Sequence, residues 1–123
     1  MTLPKILIVE DEILVALHLR RGLIRSGYGV YEPVASGEKA VEAARALSPD
    51  VILMDIRLLG AMDGIEAARQ IRSFLAATII FTTGYQDLDL KERAMALEPA
   101  AYLIKPVDAN QIITILEPLY ESE

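Results

Sequence analysis

Five short apolar runs alternate with five longer stretches of helical spacing, and this alternation limits the chain to very few folds. The runs KILIV (5–9), YGVYEPV (28–34), VILMD (51–55), ATIIFTT (77–83) and AAYLI (100–104) read as strands. The stretches 12–27, 36–47, 63–74, 87–97 and 108–121 carry apolar residues at the three- and four-residue steps of a helix. Local signals punctuate them. Gly27 stops the first helix, Ser36 caps the second, and Asp108 caps the fifth. Asp63 and Glu66 open the third in the D-x-x-E pattern of a capping box. Pro118 is expected to bend or end the last turn. The run 28–34 is the weakest strand, and its glycine and Pro33 mark a sheet edge.

Strands that are apolar throughout are buried on both faces, which requires a parallel sheet between two layers of helices. Right-handed crossovers then give a doubly wound α/β fold. A chain of 123 residues suits one domain with one core, and 53% hydrophobic residues supply it. No linker or shift in composition divides the chain, so the expectation is a single domain over 1–123 without a further output domain.

Charge and composition narrow the function. The formal net charge is −6, and HLRR and KER are only local basic clusters, so direct binding to nucleic acid is disfavoured. The absence of cysteine removes disulfides, thiolate metal sites and cysteine nucleophiles. No apolar run approaches a membrane span. The opening MTLPKILIVEDE does not read as a signal peptide, because acidic residues follow a short apolar run at once. A cytoplasmic location is expected.

Ligands of doubly wound folds sit outside the carboxyl ends of the strands. Glu10 and Asp11 follow the first strand, Asp55 ends the third, Thr82 and Thr83 end the fourth, and Lys105 and Pro106 follow the fifth. A carboxylate at the end of a buried run is costly unless it is paired or binds a metal. Three carboxylates together relieve their repulsion by protonation or by a divalent cation. Hard oxygen donors without histidine or thiolate favour magnesium over zinc. A carboxylate, a cation, a lysine and a threonine hydroxyl around one point suit a phosphoryl group.

The segments ILIVEDE, VILMDIRL, MDGIEAARQIR, IIFTTG and YLIKP, taken in this order, resemble the response regulator receiver domain of two-component signalling. The resemblance covers essentially the whole chain. It implies a flavodoxin-like (βα)5 fold with strand order 2-1-3-4-5. It makes Asp55 the phosphoacceptor, supplied by a sensor histidine kinase or a histidine phosphotransfer protein of a phosphorelay. Asp11 then coordinates magnesium (or manganese) directly, Glu10 acts through water, and Asp55 and the backbone carbonyl of Arg57 complete the metal set. Thr83 is the switch hydroxyl, matched in preference to Thr82 because Gly84 supplies the small residue that follows it. Lys105 pairs with the phosphate ahead of a cis bond to Pro106, and Tyr102 is the aromatic that turns inward on activation. The resemblance implies a signalling protein rather than an enzyme, one that catalyses only its own phosphorylation and slow autodephosphorylation. The surface of the fourth helix, fifth strand and fifth helix would meet a downstream protein, in a monomer or a phosphorylation-dependent dimer.

Three departures and several rival readings remain. Leu59 stands where the family's loop has a proline, Glu10 replaces the commoner aspartate, and Pro99 precedes the fifth strand. A receiver that is never phosphorylated and serves only as an interaction module is the alternative; such chains usually lose the acceptor, the acid pair or the lysine. A flavodoxin-type cofactor binder needs a hydroxyl- and glycine-rich loop where this chain has VEDE. A haloacid-dehalogenase phosphatase needs a D-x-D motif after the first strand, which is absent. His18 lies in an amphipathic helix with no supporting motif and reads as structural.

Overall fold

The structure is a computed structural model that describes residues 3–84 and 87–120. The elements follow in strict alternation: β1 Lys5–Val9, α1 Ile13–Arg25, β2 Gly29–Val30, α2 Gly37–Leu47, β3 Val51–Asp55, α3 Gly64–Arg72, β4 Thr78–Thr83, α4 Leu88–Met95, β5 Ala101–Ile104 and α5 Ala109–Tyr120. All strand pairs are parallel, in the order β2-β1-β3-β4-β5. The chain therefore has the doubly wound fold that the alternation implies, in the flavodoxin-like strand order that the resemblance implies.

Strand alternation divides the apolar residues between two cores. Leu7, Val9, Ile52, Met54, Ile79 and Phe81 face α2, α3 and α4, where Ala40, Ala44, Ala67, Ala68 and Ala94 let the helices lie close to the sheet. Ile6, Ile8, Val51, Leu53 and Ile80 face α1 and α5, against Leu19, Leu23, Ile112 and Leu116. Every residue of β3 is buried, Asp55 included, so the most central strand carries a carboxylate to the edge.

Two expectations need correction. The second strand pairs regularly only at Gly29–Val30, not over 28–34. Pro33 has no N–H to donate, so pairing lapses and resumes at one bridge, Val9 with Val34. Pro118 does not end α5 at that point; the helix runs through it to Tyr120. Tertiary contact holds that turn, since the Tyr120 hydroxyl lies 2.6 Å from Thr78 Oγ1. Glu121, placed in this helix by periodicity, lies outside the described residues. The other differences are element ends: Ala77 and Ala100 stand just before the strands they were read into, and residues such as Asp63, Asp87 and Asp108 stand just outside the helices they precede.

The caps form largely as read. Ser36 Oγ accepts from Lys39 N at 3.1 Å, and Asp63 Oδ1 accepts from Glu66 N at 2.8 Å. The capping box at α3 is only half made, because the Glu66 carboxylate turns to Arg69 and Gln70 instead. A full reciprocal box stands at α5, where Asp108 Oδ1 accepts from Gln111 N and Gln111 Oε1 accepts from Asp108 N, both at 2.9 Å.

Gly64 seats α3 on the end of β3. Its N–H donates to Ile56 O at 2.8 Å, and a Cβ added there would lie 2.1 Å from Asp55 O. That neighbour is backbone and cannot rotate away. Gly64→Ala should therefore lower the unfolding free energy by about 1–3 kcal/mol, read from urea denaturation at unchanged slope. Gly84, where an added Cβ meets nothing within 4 Å, provides the control. Gly84→Ala should change stability by less than about 0.5 kcal/mol, and equal losses at the two glycines would contradict the close approach.

Candidate functional site

Three carboxylates converge at the carboxyl edge. Glu10 and Asp11 leave β1, Asp55 ends the adjacent β3, and each offers an oxygen within 4.8 Å of the others. Glu10 and Asp55 are only 4% and 3% exposed. Lys105, just past β5, reaches back across the end of β4 to both. Its Nζ lies 2.7 Å from Glu10 Oε1 and donates to Asp55 Oδ2 at 3.1 Å. The remaining oxygens of the two acids face backbone: Glu10 Oε2 accepts from Glu12 N at 3.1 Å, and Asp55 Oδ1 from Arg57 N at 3.3 Å.

The electrostatics follow from this crowding. Burial, then the charge of Glu10 and more weakly that of Asp11, push the Asp55 carboxyl up to about 6, against the opposing charge and hydrogen bond of Lys105. Burial by itself would lower the Lys105 ammonium, but hydrogen bonds and charge from Glu10 and Asp55 outweigh it, and the net shift is upward. The lysine stays charged while the Asp55 carboxylate is held in an unfavourable ionised state. The donor set consists of hard oxygens on three carboxylates, which fits a divalent cation.

The other residues singled out by sequence lie nearby. Arg57 lines a cavity of about 340 Å³ together with Asp11, Glu12, Asp55, Gly84 and Lys105. A larger cavity of about 500 Å³ shares Glu12 and Lys105 as walls, with Leu14, Val15, His18 and Thr82 among the others. Thr82 is the register partner of Asp55, whereas Thr83 is fully buried on the sheet face that carries Phe81 and Tyr102. Thr83 O accepts from Lys105 N at 2.8 Å, which ties the last residue of β4 to the lysine. The Lys105–Pro106 bond is cis. Tyr102 stands one step back from the edge. Its hydroxyl is buried without a hydrogen-bond partner among the described residues, and Lys91 Nζ lies 5.8 Å from its ring centre. Burial and the charge of Asp87 push its phenol upward.

Two contacts escaped the reading of the sequence. The Glu10–Lys105 pair joins residues near opposite ends of the chain, and no local pattern announces it. Gly64 was legible only as part of the DG step that opens α3, although the end of β3 depends on it.

A parallel sheet of this order with an acid cluster and a lysine at its carboxyl edge defines a class of signalling domain rather than a single protein. Residues 6–117 match the response regulator receiver domain, and the chain belongs to that family. It is 36% identical over 113 residues to the transcriptional regulatory protein PdtaR of Mycobacterium tuberculosis, covering 92% of this chain and 55% of that protein. The chain thus spans about half the length of that relative. Among solved structures, the signal receiver domain of a modulated diguanylate cyclase from Desulfovibrio desulfuricans G20 superposes with a TM-score of 0.88 at 42% identity, covering 94% and 92% of the two chains. A response regulator protein from Burkholderia pseudomallei with a phosphorylated aspartic acid, calcium ion and citrate superposes with a TM-score of 0.83 at 26% identity, covering 92% and 66%. Among the described residues, no helix is long and apolar enough to cross a membrane.

A raised carboxylate destabilises the folded state once it ionises. Asp55 is ordinary in the unfolded chain and titrates at about 6 in the folded one, so folded protein binds the extra proton and stability falls as pH rises from about 4 to 6. In chelator-containing buffer, Asp55→Asn should raise stability at pH 7.5 by about 1–2 kcal/mol, less than the shift alone implies because the Lys105 pair is weakened. That gain should shrink as the buffer is acidified toward pH 4. Denaturant titrations across this range check it, and a gain that is the same at both ends would contradict the assignment.

Proposed function

We propose that this receiver domain accepts a phosphoryl group on Asp55. A carboxylate oxygen of Asp55 attacks the phosphorus of a phosphohistidine in line, the new O–P bond forms as the P–N bond breaks, and the freed imidazole nitrogen takes up a proton. The donor would be a sensor histidine kinase or a histidine phosphotransfer protein. The observation that carries this reading is the bracketing of a buried, edge-facing Asp55 by the ammonium of Lys105 at 3.1 Å and by two further carboxylates. The phosphorylated aspartic acid and calcium ion of the Burkholderia relative support it.

Each residue has a share in the step. Lys105 neutralises charge that gathers on the phosphoryl oxygens, and Asp55 is already hydrogen-bonded to it. Asp11 and Asp55, with Glu10 beside them and the Arg57 carbonyl next in line, would hold magnesium or manganese. The bound cation would supply further neutralisation of the acids and the phosphoryl group. The Thr83 hydroxyl would receive a phosphoryl oxygen, and Tyr102 would respond on the same sheet face. Because the catalysis is positioning and charge compensation, the domain acts as a signalling acceptor that turns over only its own acyl phosphate. The changed surface of α4, β5 and α5 would meet a downstream protein, as a monomer or in a phosphorylation-dependent dimer, in the cytoplasm. The whole of 1–123 would be this one domain. The reading as an unphosphorylated interaction module finds no support in a chain with acceptor, acids and lysine all present.

Incubation with acetyl phosphate and magnesium should add one phosphoryl group per chain by intact mass, and Asp55→Asn or an excess of chelator should abolish it. Uptake of one group by Asp55→Asn would overturn the assignment. For the switch, beryllofluoride with magnesium should move the amide resonances of Thr83, Lys91 and Tyr102; unchanged spectra there would sever Tyr102 from the acceptor.

A further inference from the structure

Helix α1 buries Ala16, Leu19 and Leu23 against the sheet, yet its outer side is not polar. Leu14 is 78% exposed, Ile13 61%, Ile24 46% and Leu17 41%. Four large apolar side chains on one helix form a patch rather than scattered exposures, and such patches mark contact sites. Leu14, Leu17, Arg21 and Ile24 follow one another in steps of three, four and three residues. That is the a/d spacing of a helix that packs along a second helix. The two ends of α1 carry opposite charge. Glu12 is its N-cap and its side chain makes no capping bond, while Arg21 and Arg25 stand exposed toward the other end. None of these three side chains has an ion pair or hydrogen bond among the described residues. Arg20 differs, because the carbonyls of Val30 and Tyr31 and the carboxylate of Glu32 already occupy it.

We propose that the outer face of α1 binds the same face of a second copy of this chain, as an antiparallel two-fold pair. In such a pair each helix meets its own sequence reversed. Leu14 of one copy then lies against Ile24 of the other, and Leu17 against the aliphatic stem of Arg21, each contact occurring twice. The same register brings Arg25 of one copy beside Glu12 of the other at both ends of the contact. Parallel pairing would instead set Arg21 on Arg21, Arg25 on Arg25 and Glu12 on Glu12, and like charges disfavour it. An unrelated partner would have to supply an apolar stripe and both charges in the right order, whereas a second copy brings all three. Two heptads of one helix cover less than the roughly 800 Å² per partner of a standard interface, so the pair is weak, with a dissociation constant of about 0.1 mM. The contact uses neither Lys105 nor the acids at 10, 11 and 55, and it therefore needs neither cation nor phosphoryl group.

Sedimentation equilibrium in chelator-containing buffer, from about 10 µM to about 1 mM chain, tests this. The weight-average mass should climb toward twice that of the chain. Leu14→Lys, at a position exposed enough for the fold to tolerate it, should weaken association about tenfold or more while urea denaturation stays nearly unchanged. Glu12→Arg alone and Arg25→Glu alone should each weaken self-association about tenfold, because each sets like charges together at both ends. An equimolar mixture of these two variants should associate about as well as the natural chain, since opposite charges meet again in the mixed pair. A monomer at the highest concentration, a dimer that Leu14→Lys leaves intact, or a mixture no tighter than its components would overturn the proposal. A dimer that forms only with beryllofluoride and magnesium would belong to the switched surface and would overturn it as well. So would a monomer in which Leu14→Lys slows phosphoryl uptake from a phosphohistidine protein but not from acetyl phosphate, which would give this face to the donor.

Discussion

The ammonium of Lys105 holds two buried carboxylates, Glu10 and Asp55, on strands that are neighbours in the sheet. Without that positive charge the edge would place three acids within 4.8 Å of one another in a low-dielectric setting, where like charges cannot all stay ionised. The lysine compensates part of this repulsion and leaves a remainder, which is why Asp55 is pushed up to about 6. The fold tolerates the remainder because β1, β3 and β4 below the edge are buried almost completely. A stable sheet thus supports a local arrangement that is poorly stabilised by itself. Such residual repulsion makes the edge receptive to added positive charge, and it disfavours occupation by an anion that brings none.

The two cores below the edge have different neighbours, and this gives the site its directionality. On one face, α1 and α5 pack closely enough that a Cβ on Gly22 would lie 2.8 Å from that of Ala109. On the other, α4 contributes a single buried residue, Ala94, to the core, and the Tyr102 hydroxyl beneath it is buried without a described partner. An orphaned hydroxyl costs free energy wherever it is buried, so an alternative placement that satisfies it competes well. A lightly anchored helix beside an unsatisfied side chain is a place where a small change at the edge can alter the surface. Lys105 N on Thr83 O ties the end of β4 to the residue that follows β5.

Much of this was legible in the sequence because it is written in local or periodic terms. Apolar runs gave the strands, Ser36 and Asp63 gave helix starts that the hydrogen bonds repeat, and the acids at 10, 11 and 55 lie where strand ends must deliver them. What stayed hidden depends on contacts distant in sequence. Pro118 reads as a helix end until Thr78 is seen holding Tyr120 from another element. Alternation says that Thr82 and Thr83 face opposite ways, but only the register shows Thr82 beside Asp55 and Thr83 on the face that carries Tyr102. The choice of Glu over Asp at position 10 looks minor in the sequence. It acquires meaning only when Lys105, 50 residues beyond Asp55, is seen between the two acids.

The loop after Asp55 shows how a departure from the family's usual sequence is absorbed. Leu59 stands at the proline's place and is 75% exposed, so it contributes little to holding the loop. Its neighbours do that instead. Leu58 and Met62 pack against the core of the α2–α4 face, Gly60 turns the chain at φ +102°, and Gly37 leaves room for the Met62 carbonyl, which a Cβ would approach to 2.9 Å. Asp63 and Gly64 then return the chain to the end of β3. A glycine in the left-handed region replaces the conformational restriction of a proline with a turn that other residues enter only at a cost. The loop is therefore anchored on both sides of Leu59, and its apolar side chain projects into solvent. Anchoring from within leaves that one position under little structural constraint.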